Sequence, residues 1–227
     1  MNNFFQTVYK NIAANYELVN HVLTFGLDVF WRKRVIKLCK NGKSGNWLDL
    51  CTGTGEMADL LEKTAGKNTN VYAIDFSEEM LEQARKRNER INYILSDVAE
   101  LPFHDNFFEI ITISLASRNL NTAGKLEPLF KEVHRVLKPG GSFFHLETTP
   151  PDSRIIQLGL QLYINLFVKR MVAPLTKSVE GYQYLGDSML NFYSAEKLRE
   201  LLLTAGFEEV ECKKLFPGIV SLHKAGK

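Results

Sequence analysis

The run Asn46-Trp47-Leu48-Asp49-Leu50-Cys51-Thr52-Gly53-Thr54-Gly55-Glu56 constrains this chain more than any other stretch. It opens apolar and β-prone, breaks into a glycine-rich turn, and resumes at helical spacing with Met57, Ala58, Leu60 and Leu61. A strand, a tight loop and a helix N-terminus in that order predict a ligand-binding turn of an open α/β sheet. Glycines let the backbone turn sharply and let a ligand approach main-chain N–H groups. Asp49 falls at the strand end, near where such sheets bind. Asp75 closes the next apolar run, Val71-Tyr72-Ala73-Ile74. It lies twenty residues past Gly55, about the offset at which these folds set an acid on a ribose hydroxyl. Taken alone, Gly53-Thr54-Gly55-Glu56-Met57-Ala58 fits a dinucleotide G-x-G-x-x-A pattern as well as a nucleoside site, and a plain structural turn also fits.

The rhythm around that turn sets the fold class. Residues 1–45 read as an N-terminal helical segment, with Phe4, Val8, Ile12 and Tyr16 at helical spacing and a break at residues 24–28. Strands are expected at 71–75, 93–95, 109–114 and 142–147. Helices fall between them: Ser77 is a fitting N-cap for one, and Leu126, Leu129, Val133 and Leu137 mark another. Strand and helix alternating in this way imply right-handed crossovers and a parallel sheet. Residues 150–190 interrupt the rhythm with a mixed apolar and aromatic insertion. Ser194 then caps a helix that ends before Gly206, and strands at 207–213 and 218–223 form an antiparallel hairpin. One α/β domain results, divided into a helical segment (1–45), a ligand-binding core (46–149), a lid insertion (150–190) and a C-terminal helix and hairpin (191–227).

Composition excludes several classes. A chain of 227 residues that is 45% hydrophobic can bury one large core. Lys plus Arg is 28 against 26 Asp plus Glu, which gives no reason to expect nucleic acid. Cys39, Cys51 and Cys212 are widely spaced, with no C-x-x-C or Cys/His cluster, so no metal site is expected. The first residues show no basic n-region or apolar h-region, and the chain reads as cytoplasmic. The run from Ile155 to Val168 is too short and too polar to cross a bilayer, which takes ~20 apolar residues.

Further motifs carry a resemblance. The series Asp49-Leu-Cys-Thr-Gly53-Thr-Gly55, Asp75 with Met80-Leu81, Asp97 with Leu101-Pro102-Phe103, and Arg135 through Gly141 resembles that of class I S-adenosylmethionine-dependent methyltransferases. Ile12 through Asn20, Phe25-Gly26, Trp31-Arg32, Ser117-Arg118-Asn119-Leu120, Leu146-Glu147, Tyr184 through Ser188 and Gly218-Ile219-Val220 look like the ubiquinone/menaquinone-biosynthesis C-methyltransferases. That family usually has Phe-Gly-Leu where this chain has Leu115-Ala116-Ser117, and Asp where it has Glu17 and Glu56.

The resemblance implies a Rossmann-like fold with a seven-stranded, mostly parallel sheet whose last strand is antiparallel. It implies S-adenosyl-L-methionine as cofactor and a prenylated quinol as substrate. Thr54, Asp75, Asp97, Val98 and Ser114 would contact the cofactor, alongside Asp49, Gly53, Gly55 and Met80. Arg118, Asn119 and Tyr16 are the implied catalytic residues. A guanidinium stays protonated, so Arg118 would polarise a water or the quinol oxygen and not itself act as base; a plain salt bridge to Glu147 or Asp49 is the alternative. Glu147 would orient neighbours. His145 reads as buried, His134 as surface and His104 as loop. Leu158, Leu162, Tyr163, Leu166, Phe167, Met171 and Val172 would roof an oily ring, or simply pack. Arg32, Lys33, Arg34, Lys169 and Arg170 would give peripheral contact with the inner face of a membrane, and a homodimer stays open. Three competitors remain: a methyltransferase for another small aromatic or lipid-like acceptor, a nicotinamide-dependent oxidoreductase, and a non-catalytic cofactor-binding module.

Overall fold

The computed structural model describes residues 16–40, 44–166, 188–189 and 191–227. Seven strands form one sheet in the order β3-β2-β1-β4-β5-β7-β6. They are β1 (Asn46–Leu50), β2 (Asn70–Asp75), β3 (Asn92–Leu95), β4 (Phe108–Ser114), β5 (Leu137–Thr148), β6 (Glu209–Leu215) and β7 (Val220–Gly226). The first five pair in parallel, and β7 runs antiparallel to both β5 and β6. Strand order reverses between β1 and β4, which leaves a crevice at their carboxyl ends.

Helices cover both faces, and the strand pleat explains how. Neighbouring residues on a strand point to opposite sides. On one side Leu48, Leu50, Ile111, Ile113 and Phe143 pack under α6 (Leu126–Val136) and α8 (Ala195–Thr204). On the other, Trp47, Val71, Ile110, Phe144 and Leu146 pack under α2 (Leu27–Cys39) and α3 (Glu56–Thr64). Near-continuous apolar strands follow from being covered on both faces. α4 (Glu78–Arg87) begins where Ser77 accepts a hydrogen bond from Met80 N, as its sequence predicts.

Several boundaries differ from expectation. β5 starts at Leu137, not Ser142, because Leu137 pairs with Phe108 ahead of an irregularity in the ladder. β6 and β7 each lie about two residues further along than the apolar pattern places them. Ser117–Thr122 is a short helix, α5, which the sequence reading left unassigned. In the N-terminal segment α1 (Tyr16–Leu23) and α2 flank the break, and Trp31 Nε1 donates to Phe216 O at 2.8 Å to anchor α2 to the β6–β7 link. The insertion contributes α7 (Arg154–Leu162), none of whose residues is buried.

Candidate functional site

The crevice between β1 and β4 opens into one cleft of about 1440 Å³ counted out to its mouth. Its floor is the Gly53 turn. Gly53 adopts a positive φ of 57°, and a Cβ there would meet nothing within 4 Å, so a side chain would project into open space. Gly55, at φ 83°, has a different reason: a Cβ would approach Ala84 Cβ to 2.9 Å and push α4 away. Cys51 and Leu115, just past β1 and β4, also adopt positive φ values of 52° and 59°. Left-handed backbone at non-glycine residues costs energy and clusters at ligand sites.

Carboxylates shape this floor from beneath. Asp75 Oδ2 accepts from Gly53 N at 2.8 Å and Oδ1 from Ser77 N at 3.0 Å. It therefore ties the turn to the end of β2 and keeps lone pairs for a ligand. Burial pushes its carboxyl up, against those hydrogen bonds. Asp49 takes Thr52 Oγ1 and Thr112 Oγ1, each at 2.7 Å. Its complete burial raises the carboxyl to about 6, against the two hydroxyls. Asp49 and Gly55 are absent from the cleft wall; they support it.

Gly53, Thr54, Asp75, Met80, Asp97, Val98 and Ser114 all line the cleft, as do Arg118 and Asn119. Sequence reading placed these together although they come from β1, β2, β3, β4 and the segments that follow them. Asp97 is paired with Lys125 and accepts from Ala99 N at 3.0 Å. Burial pushes its carboxyl up, but these partners outweigh it and hold it below the usual range. Tyr16 stands at the start of α1, and its ring lies outside the described part of the structure.

Arg118, buried at the start of α5, lines the same cleft. Its Nε donates to Glu147 Oε1 at 2.9 Å, and its Nη1 to Ser188 Oγ at 3.3 Å. Glu147 is fully buried and also accepts from Ser117 N, Thr148 N and Thr148 Oγ1 at 2.8, 2.7 and 3.0 Å. The salt bridge expected as an alternative is thus present, and Arg118 lines the cleft as well. Behind it runs a buried chain. His223 Nε2 lies 2.8 Å from Ala195 O, so that nitrogen carries the proton and Nδ1 accepts. His145 Nδ1 then donates to it at 3.5 Å, which leaves His145 Nε2 to accept from Ser117 Oγ at 2.6 Å. Burial drives both imidazoles toward the neutral form, consistent with that direction.

The N-terminal helices add wall residues that pattern reading missed. Asn20, Thr24, Asp28, Trp31 and Arg32 line the cleft. The only signals were Asn20 and the Trp31-Arg32 pair of the resemblance. Arg32, expected at a lipid surface, is instead buried: Nη1 meets Asp28 Oδ2 at 2.6 Å and Nη2 meets Glu56 Oε2 at 3.2 Å. Its polar partners draw it inward, since a buried charge must be paired. Among the described residues Arg32 Nε is buried with no partner. Glu56 Oε1 lies 3.2 Å from His21 Nε2, and His21 Nδ1 lies 2.8 Å from Asp28 Oδ2. Glu56 is held only at these longer distances, and burial raises its carboxyl against Arg32. Glu17 bonds Arg87, whose Nε reaches Thr54 O at 3.0 Å, so α1 is laced to the turn. Among the described residues Glu17, His21 and Glu56 form a group with metal-ligand atoms within 4.8 Å. The Arg87 guanidinium already holds its Glu17 carboxylate.

Of the roof residues, Tyr163 lines the cleft, whereas Leu158, Leu162 and Leu166 face outward; Phe167, Met171 and Val172 fall outside the described residues, as do Lys169 and Arg170. No helix among the described residues is long and apolar enough to cross a membrane.

The cleft thus combines an acid at a strand end, an open glycine turn, an unpartnered guanidinium N–H and a loosely held carboxylate. That donor set fits a nucleoside carrying an amino-acid zwitterion. Comparisons with known proteins agree. The model of the ubiE/COQ5 methyltransferase family matches residues 2–227. A demethylmenaquinone methyltransferase of Staphylococcus carnosus is 36% identical over 219 residues, 95% of this chain and 90% of that protein. The ubiquinone/menaquinone biosynthesis C-methyltransferase UbiE of Desulfotalea psychrophila is 37% identical over 220 residues, 96% of this chain and 88% of that one. A crystal structure of a SAM dependent methyltransferase from Aquifex aeolicus shares the fold, with a TM-score of 0.60 at 21% identity over 88% of this chain and 90% of that one.

Proposed function

The chain belongs to the ubiE/COQ5 methyltransferase family, and on that premise we propose how its cleft transfers a methyl group to a ring carbon of a prenylated quinol. The protein is an S-adenosylmethionine-dependent C-methyltransferase of menaquinone or ubiquinone biosynthesis. When bound, S-adenosylmethionine supplies a methyl group activated on a sulfonium sulfur. Everything else is the work of the chain.

Asp75 accepts from ribose hydroxyls with the lone pairs its backbone partners leave free. Met80 and Val98 give apolar contact to the adenine, and Asp97 faces its amino group. Thr54 and Gly53 let the sulfonium side pass close to backbone. Arg32 Nε takes the methionine carboxylate, and Glu56 takes its ammonium. Positioning of this kind removes much of the entropic barrier, up to ~7–11 kcal/mol in well-oriented intramolecular cases.

An aromatic carbon attacks well only if the ring hydroxyl gains negative charge. Arg118 supplies the counter-charge, directly or through a water, beside Asn119 on the cleft wall. Glu147 holds the guanidinium in one orientation. The observation that carries the reading is that buried Arg118, paired with Glu147, lines the same cleft as Gly53 and Asp75. We further propose that Tyr163 of the insertion lies on the substrate side of the cleft and that the protein touches a membrane peripherally. The test is a screen of quinol acceptors with labelled methyl donor. A mass increase of one methyl on the ring of a demethylmenaquinol analogue supports the reading; binding of NAD in place of S-adenosylhomocysteine overturns it.

A further inference from the structure

α7 is an amphipathic helix without a covering partner among the described residues. Ile155 is 82% exposed, and Leu158 and Leu162 are each 60% exposed. Isolated apolar residues on a surface are ordinary, but a contiguous strip marks an interaction site. Here contiguity can be traced. Ile156 Cδ1 lies 3.9 Å from where a Cβ on Gly218 would stand, so α7 abuts the β6–β7 link. That link carries Phe216, 73% exposed, and Phe216 O accepts from Trp31 of α2. At the other end of α7, the ring of Tyr163 packs 5.7 Å from that of Phe25, which is 74% exposed. Tyr163 also lines the cleft. The strip therefore runs from the β6–β7 link along α7 to the cleft mouth.

Its charge is one-sided. The only ionisable residue within α7 is Arg154, and Asp152 just before it is paired with Lys214 at 2.5 Å. α2, anchored to the same link, exposes Lys33 and Lys37, and Lys40 follows just past its end, while its single acid, Asp28, is buried. Apolar side chains bordered by cations match a helix lying in the headgroup–acyl boundary of an anionic membrane.

We infer that the outer face of α7, with Phe216 and Phe25, rests on an anionic lipid surface, so that the cleft mouth opens toward the acyl layer. This rests on the prenylated-quinol reading, because such a substrate stays dissolved in that layer and must enter from it. Tyr163, at the end of the strip, is the threshold the ring crosses.

The experiment is flotation of the full chain with vesicles of phosphatidylcholine alone and of phosphatidylcholine with phosphatidylglycerol, for the wild type and the Ile155→Glu/Leu158→Glu variant. The wild type is expected to float with the anionic vesicles, the variant to stay behind, with the bound fraction falling about tenfold. S-adenosylhomocysteine affinity and turnover of a short-chain, water-soluble quinol stay unchanged in the variant, while turnover of a vesicle-embedded quinol falls in step with flotation. The proposal is overturned if the wild type fails to float at low salt. It is equally overturned if it elutes as a dimer that the variant converts to monomer, for then a second copy covers the strip. Flotation without methylation of any quinol would sink the substrate reading and leave the lipid surface standing.

Discussion

Replacing Glu147 by Gln tests the wall opposite the cofactor grip. Glu147 is fully buried and serves Ser117 N, Arg118 N, Arg118 Nε, Thr148 N and Thr148 Oγ1. A glutamine keeps one accepting oxygen. If that oxygen faces Arg118 Nε and the Thr148 donors, its NH2 is turned toward the N–H groups of Ser117 and Arg118. Donor then faces donor, and the buried guanidinium loses its counter-charge. Breaking a buried ion pair from one side costs ~3–5 kcal/mol. At ~2–4 °C per kcal/mol for a chain of this size, the melting temperature should drop by roughly 10 °C. Assayed in the cold, where the variant is still folded, methyl transfer should slow by about tenfold, ~1.4 kcal/mol of barrier. S-adenosylhomocysteine affinity should hold, since Glu147 touches neither Gly53 nor Asp75. A melting temperature within ~2 °C of wild type would refute the packing argument. Loss of cofactor affinity in step with rate would refute the division of the cleft into two walls.

Other outcomes follow from the same geometry. Asp49, raised to about 6 by burial, binds more protons folded than unfolded between about pH 4 and 6, so its contribution falls as pH rises through that window. Wild type should lose about 2 kcal/mol relative to Asp49→Asn on going from pH 4 to pH 7; denaturant melts showing a constant difference would exclude this. Ser117→Ala leaves buried His145 Nε2 without a donor and should cost ~1–3 kcal/mol in the same assay, whereas an unchanged midpoint would mean the chain behind Arg118 is dispensable. Arg32→Ala should weaken S-adenosylhomocysteine about tenfold by calorimetry yet spare 5′-methylthioadenosine, which lacks the amino-acid end; equal losses for both would remove Arg32 from the zwitterion grip.

The core strands and the Gly53–Asp75 turn at the cleft floor were legible because they rest on local rules. Alternating apolar runs gave β1 to β4, and turn chemistry gave Gly53, Gly55 and Asp75. What escaped depends on partners distant in sequence. Arg32 sits in a basic run that reads as a lipid-facing surface, and its partners Asp28 and Glu56 reveal it as a buried wall residue. α5 is too short for a period to show, and its start is fixed by Glu147, thirty residues away. Leu158 and Leu162 read as a roof from hydropathy alone; which side of a helix faces the cleft is decided by tertiary packing, and here they face outward.

The sheet order has a further consequence for how the chain is made. β7 lies between β5 and β6 and pairs with both. While a ribosome is still building residues 220–226, the margin of β5 bearing Phe144 and Leu146 has no neighbour on that side. A nascent intermediate with an open, oily edge is prone to mispairing with other chains. Newly synthesised protein should therefore depend on chaperone shelter late in translation, and premature stops before Val220 should send it to inclusion bodies.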